Sequence, residues 1–183
     1  DSISLDFGSF YLVVKAVLFY NIFMDFFTNI PPQIATLILA MLPVTELRFS
    51  IPFALEVLNL SPWEAFFWSI IGDIIPAIGI VYLLGPLSRW LRRHSKWADR
   101  MLDKAFAKTR RKFDGSYSKL GKVALIFFVA IPLPGTGAWS GSIAAWLFDI
   151  EKKESIVYIS IGVVLAGILV TLLSLGFFQL FNL

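Results

Sequence analysis

Between Leu42 and Phe53 the chain reads LPVTELRFSIPF, and 89 residues further on, from Ile131 to Ser142, it reads IPLPGTGAWSGS. Both stretches sit inside apolar runs, yet both interrupt the helix with prolines or glycines and place polar groups at the break. At membrane depth such a break is tolerated only where the freed backbone is buried in protein or lines a cavity. The pattern predicts two re-entrant hairpins, each entering the bilayer, turning near its midplane and returning. The first also carries Glu46 and Arg48, and ionisable residues at that depth mark a functional site. A single span kinked at Pro43 and Pro52 is the alternative for the first stretch.

A chain of 183 residues that is 57% hydrophobic and 16% aromatic has more apolar surface than a soluble core of that size can hide. An all-α integral membrane protein is expected. The absence of cysteine excludes disulfides, thiolate ligands and cysteine nucleophiles. With His94 as the single histidine, no zinc, haem or other cofactor is expected. Residues 1–10 do not read as a signal peptide, lacking a basic start and a small-residue cleavage site.

Residues 10–30 are long enough for one span, since about 20 residues cross the hydrocarbon core, although a helix lying in the interface fits almost as well. Pro31 and Pro32 stop it. The leg Gln33–Leu42 reaches about half-way across, the turn Pro43–Glu46 breaks it, and Thr45 is suited to starting a returning helix over about Leu47–Leu58. After a turn at Asn59–Glu64, with Ser61 as N-cap and Pro62 in the first helical position, residues 63–85 read as a span. Gly72, Asp73 and Pro76 lie inside it, and Asp73 is expected to face the protein interior.

From Arg89 to Lys122 the character turns basic, with twelve of the sixteen Lys and Arg residues against Asp99, Asp103 and Asp114. The positive-inside rule makes this linker cytoplasmic. Leu87, Trp90, Leu91, Trp97, Met101, Leu102 and Phe106 recur at helical spacing, as on an amphipathic helix at a membrane surface. Anionic lipid headgroups, not nucleic acid, are its expected partners.

The second half repeats the first: a leg at Val123–Ile131, a break at Pro132–Gly137, a return at Ala138–Phe148 and a span at Ser155–Phe178. Aligning Pro43 with Pro132 brings Gly72 near Gly162 and Gly85 near Gly176. A hairpin plus one span crosses an odd number of times, so the second copy must be inverted, as in many secondary transporters. The turn holding Lys152 and Lys153 then falls on the side of the basic linker, opposite the turn Asn59–Glu64, which has no basic residue. The expected layout is one multi-pass domain over 1–183 in the inner (cytoplasmic) membrane. It comprises an N-terminal helix (1–32), a first repeat (33–86), a linker (87–117) and a second repeat (118–183).

PVTELRFSIPFAL and FVAIPLPGTGAWSGSIAA resemble the two signature segments of the small multidrug export protein family of bacterial and archaeal membrane proteins. More distantly, the paired hairpins are similar to the DedA superfamily of lipid-translocating proteins, the resemblance covering about residues 33–180. The DedA likeness implies a glutamate at the first hairpin, matched by Glu46, and arginines around the second. Here the second hairpin is uncharged and the arginine is Arg48, in the first.

Helix N-termini at the two tips, together with Arg48, Thr45, Thr136 and Ser140, favour a substrate with a phosphate or carboxylate head. Pro43, Pro132 and Pro134 shape the tips, Gly135 and Gly137 allow close backbone approach, and Gly137 with Gly141 has the spacing of a helix-packing pair. Glu46 and Asp73 are candidate carriers of a coupling proton. Alternatively, Glu46 and Arg48 pair with each other to hold the tip. The first functional expectation is a translocator of a phospholipid or polyprenyl phosphate, proton-coupled. The second is export of lipophilic cationic drugs, with Glu46 or Asp73 as counter-ion and Trp63, Phe66, Phe67, Trp68, Trp139 and Trp146 along the path. A membrane enzyme acting on lipid phosphates comes third, since no nucleophile–base pair and no metal cluster is evident. A homo-oligomer is left open.

Overall fold

The computed structural model describes residues 27, 29–97, 99–101, 103, 118–131, 133 and 136–181, and every element among them is a helix. The expectations for residues 1–26 and 104–117 lie outside the described residues.

Helix α1 (Pro32–Met41) begins on prolines, which suit a first turn whose amides have no intrahelical partner. Its ten residues make it about 15 Å long at roughly 1.5 Å per residue, half the hydrocarbon core. The chain turns over residues 42–45, and α2 (Glu46–Glu56) folds back against α1. Thr45 precedes α2 as expected but does not cap it. Its hydroxyl donates to the Leu39 carbonyl, tying the turn to the outgoing leg.

Helix α3 (Pro62–His94) opens on a capping box in which Ser61 Oγ accepts from the Glu64 amide and the Glu64 carboxylate accepts from the Ser61 amide. The sequence places its end at residue 85, but it runs through Gly85 and Pro86 to His94 and breaks only at the extended Ser95. A proline inside a helix removes one intrahelical bond, and helix-forming residues on both sides carry the chain past it. The second half follows with α4 (Ser118–Ala130), α5 (Ala138–Leu147) and α6 (Lys152–Phe181), so the second leg and second span both start earlier than the sequence reading placed them.

Within each half all three helices pack on one another, and between halves α3 meets α5, α2 meets α6 and α3 meets α6. Exchanging the halves maps this set of pairs onto itself. Helices α3 and α6 run antiparallel, because Gly167 lies against Phe66 and Ile70 near the start of α3 while Lys152, at the start of α6, lies over the Tyr82 ring. Individual contacts recur as well. Gly72 meets the Leu37 carbonyl and Ala40 of α1, as Gly162 meets the Ile126 carbonyl and Val129 of α4. Gln33 bonds Glu64 across the starts of α1 and α3, as Lys122 bonds Glu154 at 2.6 Å across the starts of α4 and α6. Asn59 and Asp149 each leave a returning leg with positive φ, 51° and 55°. In every case the second residue lies 89 or 90 positions after the first.

The main core draws Leu47 and Ile51 from α2, Ala77 and Val81 from α3, Leu125 and Val129 from α4, Ala138 and Ala145 from α5, and Ile159, Val163, Ala166 and Val170 from α6. A smaller cluster joins Phe27 to Ala35, Leu39, Phe53 and Leu58. On the outside, α3 and α6 expose large apolar side chains, among them Ile75, Leu83, Leu165, Leu172 and Leu173. Among the described residues these two helices are long and apolar enough to cross a membrane.

The helix crossings give a test. A Cβ at Gly162 would stand 2.7 Å from Val129 Cβ and 2.9 Å from the Ile126 carbonyl oxygen, and one at Gly72 would meet the Leu37 carbonyl, whereas Gly79 faces open space. Gly72→Leu and Gly162→Leu should each cost about 1–3 kcal/mol by overpacking. Gly79→Leu should cost far less. Melting curves of the three variants in detergent check this, and equal losses would contradict the packing described.

Candidate functional site

The two breaks meet. A cleft of about 540 Å³ opens between them, lined by Pro43, Val44, Thr45, Glu46, Arg48 and Phe49 from the first tip and Leu133, Thr136, Trp139 and Ser140 from the second.

Arg48, in the first turn of α2, reaches across to the second tip. One guanidinium nitrogen donates to the Leu133 carbonyl at 2.6 Å, and the other donates to the Ile131 carbonyl at 3.1 Å and the Thr136 hydroxyl at 2.9 Å. These carbonyls follow the C-terminus of α4, the end at which a cation is stabilised by the helix dipole. Glu46 does the reverse. Its carboxylate, buried to 6% exposure, accepts the backbone N–H of Trp139 in the first turn of α5, where a helix favours negative charge. The two charges of the first tip thus complement the two broken helix ends of the second.

Glu46 and Arg48 stand 3.9 Å apart, at the limit of an ion pair. The three bonds of Arg48 to the second tip are shorter and fix where its guanidinium lies. Glu46 has φ +45°, a left-handed conformation costing a non-glycine residue about 1–3 kcal/mol, which persists only where the surroundings enforce it. Gly137 answers to the same contact. Its α-carbon lies against the Glu46 carboxylate with φ +131°, so that no side chain fits, and it is Gly141 that packs on α4, against Val129. The expected helix-packing pair is therefore two glycines with different tasks.

The remaining predicted site residues divide. Thr136 bonds back to the carbonyls of Ile131 and Leu133, and Ser140 to that of Gly137, both from the cleft wall. Asp73 does not line the cleft. It is buried to 1% exposure behind it, within electrostatic range of Glu46 and Arg48, and its Oδ1 has no hydrogen-bond partner. Pro132, Pro134 and Gly135 lie outside the described residues. Of the aromatic residues expected along a cation path, only Trp139 lines the cleft. Trp63 and Phe67 are exposed on α3, stacked on one another, and Trp146 lines a different pocket.

Sequence reasoning missed Phe49 and Leu133 in the cleft wall, and it missed a buried bond between the hydroxyls of Ser50 and Ser69 at 2.7 Å. Ser50 lies one turn after Glu46 and Ser69 one turn before Asp73, so a polar seam joins α2 to α3 behind the cleft. The only sequence signal for it was this one-turn spacing of serine from carboxylate.

Residues 46–169, from Glu46 at the first tip through α3 and the second tip to part-way along α6, match the family described as Putative small multi-drug export protein. The chain belongs to that family. As a member of this export family, with two apolar helices of spanning length and broken helices meeting at a cleft, it is a membrane protein. The chain matches no curated protein and no solved structure.

Proposed function

We propose that this member of the small multi-drug export family translocates an amphipathic substrate whose anionic head, such as a phosphate, binds in the cleft between the tips. The observation that carries this reading is the division of labour between the two tip charges. Glu46 is turned to the start of α5 and is 8% exposed at its side chain, whereas Arg48 is 21% exposed, and a guanidinium carries more N–H donors than its three bonds to the second tip use. The charge offered to the cleft is positive. Phe49, Val44 and Leu133 give the apolar wall that the rest of an amphipathic molecule needs.

Charge balance supports proton coupling. Two carboxyls, Glu46 and Asp73, face one guanidinium, Arg48, so the fully ionised group is net negative and repels an anion. Protonating one carboxyl neutralises the group. At a pH where both carboxyls are ionised before binding, an anionic head should therefore take up a proton, and Asp73→Asn should weaken that uptake while sparing affinity. Release of dye-detected protons, or no pH change, on ligand addition in weak buffer would count against the coupling.

In this reading each α-hairpin is re-entrant, each half is one unit of an inverted repeat, and the basic linker faces the cytoplasm across the inner membrane. Helix α3, with 33 residues, is about 50 Å long at roughly 1.5 Å per residue, enough to separate Ser61 and Ser95 by a bilayer. Cysteines at Ser95 and Lys153 should be labelled by an impermeant reagent from the cytoplasm, and one at Ser61 from the outside. Opposite sidedness of 95 and 153 would mean that residues 123–148 cross fully.

The family's description favours a second reading, export of lipophilic cationic drugs, with Glu46 as counter-ion and Trp139 and Phe49 as aromatic walls. Thermal stabilisation of the purified protein in detergent separates the two. A polyprenyl phosphate should raise the melting temperature and a quaternary ammonium compound should not; the opposite ranking would establish the drug reading.

A further inference from the structure

A second pocket, of about 480 Å³, lies away from the tips, between the C-terminal half of α3 and the loop joining α5 to α6. Its floor is amphipathic, with Val81, Tyr82, Trp146 and Ile150. Its rim carries four exposed charges within five residues, Asp149, Glu151, Lys152 and Lys153. None of the four enters an ion pair among the described residues, and Lys152 rests its ammonium 5.2 Å above the Tyr82 ring.

The rim is balanced, two acids against two lysines. Neighbouring opposite charges commonly pair, but Asp149 is turned by its positive φ of 55° as the chain leaves α5, and the lysines start α6. The first amides of α6 add partial positive charge beside the lysines. Below the rim, Tyr82, Ile78 and Ile75 are exposed at one-turn spacing along α3, a strip that can accompany an acyl chain. Tyrosine and tryptophan beside a charged rim at the end of an apolar span are the composition of a membrane interface.

We propose that this pocket is a docking site for a zwitterionic lipid head carrying a phosphate and a primary amine, separate from the cleft between the tips. The phosphate lies with Lys152, Lys153 and the first amides of α6, and the ammonium lies with Asp149 and Glu151, which accept its N–H groups. A purely anionic head satisfies the lysines but brings no N–H donor to Asp149 and Glu151. A choline head matches the charges but has no N–H to donate, so the carboxylates discriminate against it. The proposal rests on the membrane placement of α3 and α6 and not on the substrate of the cleft.

The test is lipid binding to the purified full chain in detergent, read as saturable thermal stabilisation by ethanolamine, choline and glycerol phospholipids of equal chain length. The ethanolamine lipid should bind about tenfold more tightly than the other two, the worth of roughly one charge-assisted hydrogen bond. Glu151→Gln with Lys152→Gln, both exposed positions, should remove that preference while leaving polyprenyl phosphate binding at the tips unchanged. Equal affinity for the three lipids, or a preference that survives the double substitution, overturns the proposal. Soluble glycerophosphoethanolamine should give no saturation at concentrations where the lipid saturates. If it binds as well as the lipid, the ligand is a free phosphoamine and the lipid assignment is wrong.

Discussion

Arg48→Ala is expected to destabilise the protein by about 3–5 kcal/mol, the cost of removing one partner from a largely buried charge arrangement. The loss comes from the second tip, where the carbonyls of Ile131 and Leu133 and the Thr136 hydroxyl lose the guanidinium that bridges them to the first tip, and from Glu46, which loses the nearest cation. Arg48→Lys should recover only part, because an ammonium cannot span two carbonyls and a hydroxyl in one plane as a guanidinium does. Glu46→Gln should cost less, about 1 kcal/mol, since the amide oxygen still accepts from the Trp139 N–H. Denaturant titration in mixed micelles measures all three. A loss below that of Glu46→Gln would show that Arg48 does not hold the tips together.

The second large effect is expected at Gly137. Alanine there must adopt φ +131° and must put its Cβ into the Glu46 carboxylate, so the strain of about 1–3 kcal/mol is joined by a steric conflict. Glu46→Ala removes the conflict but not the strain. The double variant Gly137→Ala/Glu46→Ala should therefore be markedly less unstable than the sum of the single changes, a coupling of the kind shown by residues in contact. Simple additivity in the same titration would mean that the carboxylate is not seated against Gly137.

Much of this arrangement could be read from the sequence because prolines and glycines clustered inside an apolar run weaken the helix at that point and so mark where it breaks. The legs at Gln33 and Ala138, the capped start at Ser61 and the buried Asp73 follow from local chemistry, and the matching helix crossings at Gly72 and Gly162 show in their spacing. The end of α3 was not legible, since Gly85-Pro86 looks like a stop and only continuing helix on both sides overrides it. Thr45 has the identity of a cap, yet its hydroxyl finds a nearer carbonyl behind it. The partners of Glu46 and Arg48 were hidden for a different reason. Apart from the Thr136 hydroxyl, they are main-chain atoms more than 80 residues away, and a carbonyl or an amide leaves no mark on residue identity. Only Gly137 carried a trace of them, as the one residue type able to sit against a carboxylate with that backbone.

Affinity for a polyprenyl phosphate, measured on purified and monodisperse wild type, Arg48→Lys, Arg48→Ala and Glu46→Gln/Arg48→Ala, tests the proposed anion site at the tips most directly. Binding should be strongest in the wild type, partial with lysine and lost with alanine, and it should stay lost in the double variant, because relieving the unpaired Glu46 charge does not restore the fork that holds the head. Full recovery of affinity in the double variant would show that Arg48 serves only to offset Glu46, and would contradict an anionic head bound between the tips.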